Sequence, residues 1–377
     1  MTRRSWLSLA AAAQARAASQ GELYALTVCP WTQRNPRHDH AQILPLSGGR
    51  LLLVWSEYYV RQPSKIVRTP YSQGGAGDEA PSQLSGKISV DRGRTWSENL
   101  TLQENVAADC VKHPNLLRLR SGEILMAYTV RNFKTHDSRV FLRRSTDECE
   151  TWSRPEQITP DGGFWLINCD HILRHSSGRV ILPSYWSPTI WDAKEHFMAF
   201  ALYSDDEGRT WKQSKNRMDL PKRGAEEPGI VELKNGALYS ILRTSLGRIY
   251  SAVSEDRGET WSEPKPTSLV APASQPCIRR IPGSGELLVL FNNTYDPAHS
   301  HGGVRNPLNS AISRDEGKTW ENIKTVENWS DHDSAYPSVT FSGNEALITY
   351  YQRSRAMSRD THLQLKIFAS DWFTAPD

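Results

Sequence analysis

Apolar and polar positions along this chain repeat one arrangement six times: an apolar run, a turn carrying Gly, and a second apolar run. The copies are HAQILPLSGGRLLLVW from His40, HPNLLRLRSGEILMAY from His113 and CDHILRHSSGRVILPSY from Cys169. They continue as EPGIVELKNGALYSILR from Glu227, QPCIRRIPGSGELLVLF from Gln275 and YPSVTFSGNEALITYY from Tyr336. Each reads as two strands joined by a turn.

A polar repeat, S-x-D-x-G-x-T-W, follows five of these units. It appears as SVDRGRTW (Ser89 to Trp96), STDECETW (Ser145 to Trp152), SDDEGRTW (Ser204 to Trp211), SEDRGETW (Ser254 to Trp261) and SRDEGKTW (Ser313 to Trp320). The second copy has Cys149 where the others have Gly. Successive copies start 56, 59, 50 and 59 residues apart, a period that signals an array of supersecondary units. Chemically the motif is a turn: Asp and Ser side chains bond nearby amides, and Gly supplies the left-handed backbone. The Trp is expected to fill space between neighbouring units. These Asp residues are therefore read as hairpin staples.

Six units of four antiparallel strands predict an all-β fold, a six-bladed β-propeller with Asp-box hairpins and roughly 60 residues per blade. The sixth unit has no full box but ends THLQLKIFASDWF, with Trp372 as a remnant. The early strand ELYALTVC is expected to pair with that last blade and close the ring. Residues 21–377 thus form one domain, with no linker.

Composition adjusts this picture in three places. Apolar residues are 38% of the 377, which suits many short, half-buried strands. The first 20 residues read as an export signal: Thr2-Arg3-Arg4-Ser5-Trp6-Leu7 resembles the twin-arginine motif, and a short Ala-rich run follows. Ala15-Arg16-Ala17 offers a small-x-small cleavage site, and the apolar run is too short to span a bilayer. Removing Arg3, Arg4 and Arg16 takes Lys+Arg from 45 to 42, against 42 Asp+Glu. The mature domain is then near neutral, and no polybasic stripe argues for nucleic acid or an anionic membrane. The five Cys contain no CxxC pair, and nothing reads as a zinc site or cofactor motif. His40, His113 and His171 lack the dense spacing of a metal site.

Propeller topology turns sequence position into location. The innermost strand of each blade starts at one face, the second strand returns to it, and the third leaves from it. That face is the mouth, and the Asp boxes fall on the opposite face. Strand starts at the mouth are His40, His113, Cys169 or Asp170, Glu227, Gln275 and Tyr336. Second-strand ends add Glu57, Arg131, Tyr185, Arg243, Asn292 and Arg353. The segment before the fifth box brings Arg305, and a long loop of the first blade brings Asp78 and Glu79. Convergent polar groups in one concave funnel predict a ligand site.

These residues resemble the sialidase (neuraminidase) superfamily, specifically its Asp-box, BNR-repeat branch, along essentially the whole mature chain. The resemblance implies a Tyr nucleophile with a partner Glu, an acid/base Asp, and Arg residues that grip a substrate carboxylate. It assigns Tyr336 as nucleophile, Glu227 as its base, and Arg243 and Arg305 as the second and third Arg. It also assigns Asp78, with Glu79 as rival, as the acid/base. The family's first Arg is missing. Arg37-His38-Asp39-His40-Ala41 stands where an Arg-Ile-Pro motif belongs, with His40 or Asp39 in the Arg position. Asp39, His40, His113, Asp170, Gln275 and Arg131 complete the expected substrate-binding set.

Three readings stay open. One is a secreted exo-glycosidase cleaving a terminal acidic sugar through Tyr336. Another keeps the fold but takes a uronate or other glycan, with His40, His113 and an acid moving protons. The third is a non-catalytic glycan- or protein-binding propeller. For the enzymatic readings the expected partner is a glycan or glycoconjugate substrate, without cofactor, and the protein is expected to be a monomer.

Export is tested directly. Mature protein is expected to begin near Ala18 or Ser19 and to be periplasmic or extracellular, by N-terminal sequencing of fractionated cells. Changing Arg3-Arg4 to Lys-Lys should abolish that export, and intact Met1 or Thr2 on cytoplasmic protein would reject it.

Overall fold

The computed structural model describes residues 21–60, 77–132, 137–191, 193–356 and 360–376. The export segment, residues 1–20, lies outside the described residues.

The chain is all-β with a propeller arrangement of sheets. Among the described residues four sheets have four strands each, three of them ordered as the chain runs. The first contains Arg37–Pro45, Leu51–Tyr58, Ser82–Ser89 and Leu100–Gln103. A second contains Glu226–Glu232, Leu238–Arg243, Arg248–Ser254 and Lys265–Val270. A third contains Cys277–Arg280, Leu287–Asn292, Leu308–Ser313 and Glu321–Glu327. The closing sheet contains His332–Ser342, Glu345–Ser354 and His362–Ala369, with Glu22–Cys29 as its outer strand. Leu26 there pairs with Leu365, so both ends of the domain meet in one sheet.

Among the described residues four separate blades are present, where the sequence predicts six. In place of the second and third stands one nine-stranded sheet running from Cys110–Arg118 to Lys212–Gln213. The physical reason is an open edge. The strand Asp137–Ser145 is covered on its outer side only by the two-residue strand Glu156–Gln157, opposite Phe141 and Leu142. Ser138 is left uncovered, and Phe164 pairs with it in parallel while Ser138 Oγ donates to the Trp165 carbonyl at 2.8 Å.

Register fixes which ends share a face. In the first sheet Arg37 pairs with Tyr58 and Tyr58 with Ser82, while Pro45 pairs with Leu51 and Leu51 with Ser89. The box beginning at Ser89 therefore lies at the end opposite Arg37. Within the box Ser89 Oγ accepts the Gly93 amide at 2.8 Å, and Asp91 accepts both the amide and the hydroxyl of Thr95. The Cys149 box keeps these bonds, with the Cys149 amide 2.9 Å from Ser145 Oγ and its backbone at φ 71°. Gly317 has no such latitude, since a Cβ there would sit 2.7 Å from the Tyr239 ring.

The apolar core lies between sheets, in clusters shared by neighbours. Trp96 of the first sheet packs with Leu347, Leu363 and Leu365 of the closing sheet, and Trp320 packs with Val231 and Tyr239 of the sheet before its own. Trp372 stacks on Phe368 and packs with the cluster containing Leu288 and Leu290. The boxes thus cap hairpins, and Trp96 and Trp320 wedge into the adjoining sheet. All five cysteines are buried and none is in a disulfide. No described helix is long and apolar enough to cross a membrane.

Ser254 tests the staple. It is 1% exposed, and its Oγ accepts the buried Gly258 amide at 2.7 Å while donating to Asp256. Ser254→Ala strands that amide and should lower stability by about 1–3 kcal/mol. The urea midpoint measures this, and an unchanged midpoint would deny the box a structural role.

Candidate active site

Four inner strands carry the same irregularity at the mouth. His40 and Ala41 together face one residue of the partner strand, as do His113 and Pro114, Glu227 and Pro228, and Tyr336 and Pro337. These are β-bulges, which kink a strand and re-aim its side chains. The first residue of each is left-handed, with φ 51° at His40, 61° at His113, 45° at Glu227 and 54° at Tyr336. Pro suits the second position because a bulge leaves its amide without a ladder partner. Consecutive side chains then turn to the same side: Asp39 with His40, Lys112 with His113, and Glu226 with Glu227 all line one cavity of about 870 Å³.

Tyr336 is the hub. Its hydroxyl donates to Glu227 Oε1 at 3.1 Å, and Arg243 Nη1 donates to both Glu227 Oε2 at 2.8 Å and the Tyr336 oxygen at 3.2 Å. Burial and the Glu227 charge push the Tyr336 phenol up, outweighing Arg243 and Arg305. Burial alone would raise the Glu227 carboxyl, but Arg243 overrides it and the group lies below its ordinary value. A neutral phenol therefore faces an ionised carboxylate. Arg305 sits over the Tyr336 ring at 5.4 Å and donates to Tyr351 Oη at 2.9 Å.

The other wall is built on Asp39. His40 Nδ1 is hydrogen-bonded to Asp39, and the His40 ring lies 4.3 Å from that of His113 and 4.5 Å from that of Tyr336. Arg37 Nε bonds Asp39 at 2.5 Å and Arg37 Nη1 bonds Asp78 at 2.8 Å. Burial would raise the Asp39 carboxyl, yet Arg37 and His40 hold it at about 2. Asp78, at the lip with its side chain 36% exposed, is likewise held well below its ordinary value by Lys112, Arg37 and Arg131 against desolvation. His113 is kept neutral, first by burial and then by His40, Lys112 and Arg131. The Asp39 carboxylate is thus neutralised by Arg37.

Of the residues singled out from sequence, Tyr336, Glu227, Asp78, Arg243, Arg305, His40, Asp39, His113 and Arg131 line the cavity, as does Glu79. Asp170 and Gln275 do not. Asp170 is turned to a buried ion pair with Arg279 at 2.6 Å, and Gln275 lies 3.3 Å from His171 Nε2. His171 in turn bonds the Pro228 carbonyl at 2.9 Å. Sequence reasoning missed Lys112, Glu226, Arg223 and Tyr351, and an apolar wall of Leu166, Ile190, Trp191 and Phe197 beside Tyr185. The X-Pro pairs that mark the bulges were the available signal for Lys112 and Glu226.

Comparison with known proteins agrees with this architecture. The BNR repeat-like domain model matches residues 83–348. A sialidase of Micromonospora viridifaciens is 27% identical over 299 residues, 67% of this chain and 42% of that protein. A sialidase of Bacteroides fragilis is 26% identical over 198 residues, 49% of this chain and 34% of that protein. The chain thus spans less than half the length of either. Among solved structures, a Dyadobacter fermentans protein of unknown function superposes with TM-score 0.72 at 18% identity, covering 92% of this chain and 98% of the other. The leech intramolecular trans-sialidase gives TM-score 0.72 at 14% identity, covering 93% and 71%. The fold is shared with both, and with its repeats matched over most of their extent the chain belongs to the BNR repeat-like domain family of the sialidase superfamily.

Proposed function

We propose that this protein is an exported, sialidase-like exo-glycosidase that hydrolyses the bond to a terminal acidic sugar, with Tyr336 as nucleophile. The observation that carries the reading is the 3.1 Å contact from Tyr336 Oη to Glu227 Oε1, with Arg243 bonded to both groups. A phenol titrating above its ordinary value cannot ionise unaided at neutral pH, so an adjacent carboxylate must take its proton. Glu227 is that carboxylate.

In the first step Tyr336 Oη bonds the anomeric carbon, its proton passes to Glu227, and the glycosidic C–O bond breaks. A protonated Asp78 at the lip gives its proton to the leaving oxygen, and in the second step the Asp78 carboxylate takes one from the attacking water. Water then displaces Tyr336, whose oxygen recovers the proton from Glu227. The cations beside Asp78 keep it ionised in the empty site, which suits its role as base; good leaving groups depart without its proton, and poor ones need the protonated form that low pH supplies. Arg243 and Arg305 supply the guanidinium forks for the sugar's anion.

A second reading rests on the Asp39–His40 pair, which stands in the first-Arg position with His113 4.3 Å away. There a uronate or other glycan is the substrate and an imidazole moves the proton. We also propose that the nine-stranded sheet is two blades bridged at Ser138, giving six in all. Six hydrophobic clusters among the described residues, one of them packing side chains of Leu125–Leu142 against those of Trp165–Leu202 as facing layers, support this count. An experimental structure with those segments in one unbroken sheet would refute it.

Three measurements separate the readings. Tyr336→Phe keeps the ring and should cut turnover of an activated acidic glycoside by about a thousandfold or more, leaving the melting temperature little changed. Mass spectrometry of the wild type with a slowly released substrate should find the sugar on Tyr336; near-normal turnover by the variant would end this mechanism. Arg243→Gln removes the cation that holds Glu227 down, so the Glu227 carboxyl must rise and become protonated at higher pH. The acid limb of kcat/KM should therefore move upward in that variant, and an unmoved limb would deny Glu227 the role of base.

A further inference from the structure

Lys112 is 2% exposed and lines the cavity, yet among the described residues its ammonium makes one hydrogen bond, to Tyr58 Oη at 3.3 Å. The carboxylate nearest it among the described residues is Asp78, with Oδ1 3.9 Å away, and that oxygen already accepts Arg37 Nη1 at 2.8 Å. An ammonium offers three N–H donors, and a buried charge is ordinarily paired and hydrogen-bonded. The adjacent His113, 4% exposed, also leaves Nδ1 buried without a hydrogen bond. Two neighbouring side chains at one bulge therefore hold unspent polar capacity in the cavity wall.

This corner is separate from the Arg243 and Arg305 side. The rings of His113, His40 and Tyr336 form a row, with successive centroids 4.3 Å and 4.5 Å apart, and Arg243 bonds Tyr336 at its far end. Arg37 and Arg131 also line the cavity: Arg37 bonds Asp78, the carboxylate beside Lys112, and the charges of both arginines act on Lys112. We propose that Lys112, flanked by Arg37 and Arg131, forms a second anion-binding subsite that takes a sulfate ester or a second carboxylate on the glycan. The proposal rests on reading this cavity as a glycan site, and makes its preferred sugar doubly anionic. Burial and the Arg131 charge pull the Lys112 ammonium below its ordinary value, and an incoming anion relieves both effects.

Calorimetric titration of the whole protein with inorganic sulfate and, separately, with acetate tests this at fixed ionic strength. In Lys112→Met sulfate affinity should fall about tenfold or more, as expected for a lost buried charge partner. In Asp78→Asn, which removes the competing carboxylate, affinity should rise. Preference for sulfate over acetate identifies a sulfate ester, and the reverse a carboxylate. Failure of the wild type to bind either anion, or wild-type affinity in Lys112→Met, would overturn the subsite. If Lys112→Met does not fold, unchanged or weakened binding in Asp78→Asn overturns it instead. Binding rather than turnover is read, so a failed Tyr336 mechanism leaves this result standing.

Discussion

The backbone at His40, His113, Glu227 and Tyr336 is held at φ between 45° and 61°, and four strands do this at the same level of the mouth. Non-glycine residues in that region cost of order 1–3 kcal/mol each, and persist only where the surroundings over-determine them. Here the surroundings are ladder pairs on both sides of each bulge, such as Lys112 with Thr129 and Asn115 with Ala127. A regular strand would send Asp39 and His40, or Glu226 and Glu227, to opposite faces. The bulge sends both inward. The cavity's chemistry depends on that constraint more than on any single contact, because Tyr336 reaches Glu227 only when both backbones are turned.

Turning so many ionisable groups into one buried space creates a second problem, which is solved by pairing. Glu227 is held by Arg243, Glu226 by Arg223 and Arg243, Asp39 by Arg37 and His40, and Asp333 by Arg353. Buried charges of this kind must be matched, since removing one partner leaves the other uncompensated. The pairing also fixes protonation states before any ligand arrives: Glu227 and Asp39 stay ionised, the phenol and His113 stay neutral. Preorganised dipoles and charges of this sort need no rearrangement when a reaction develops charge.

The repeats were legible because an Asp box is a local device. Its bonds run from Ser89 to Gly93 and from Asp91 to Thr95, within reach of any reader of the sequence. Tyr336, Glu227 and Arg243 could be placed at one mouth because each begins or ends an inner strand. What could not be read was side-chain direction and edge coverage. Asp170 occupies a bulge-like position at φ 55° but is captured by Arg279, a long-range partner no spacing announces. Lys112 was passed over because strict alternation would turn it away from a funnel that His113 faces. The merger of two expected blades turned on how few residues Glu156–Gln157 covers, a boundary too short for pattern reading.

The prolines after His113, Glu227 and Tyr336 have a consequence for how such a site changes over time. Pro114, Pro228 and Pro337 occupy the one place per inner strand where no amide is owed to the ladder. The residue before each is therefore free of register duty: its side chain can be exchanged while the hydrogen bonds that define the sheet stay as they are. Three positions around the mouth behave as interchangeable sockets on a fixed frame. A propeller built this way can acquire new chemistry by single replacements at its rim, which fits a family whose shared frame outlasts most of its sequence identity.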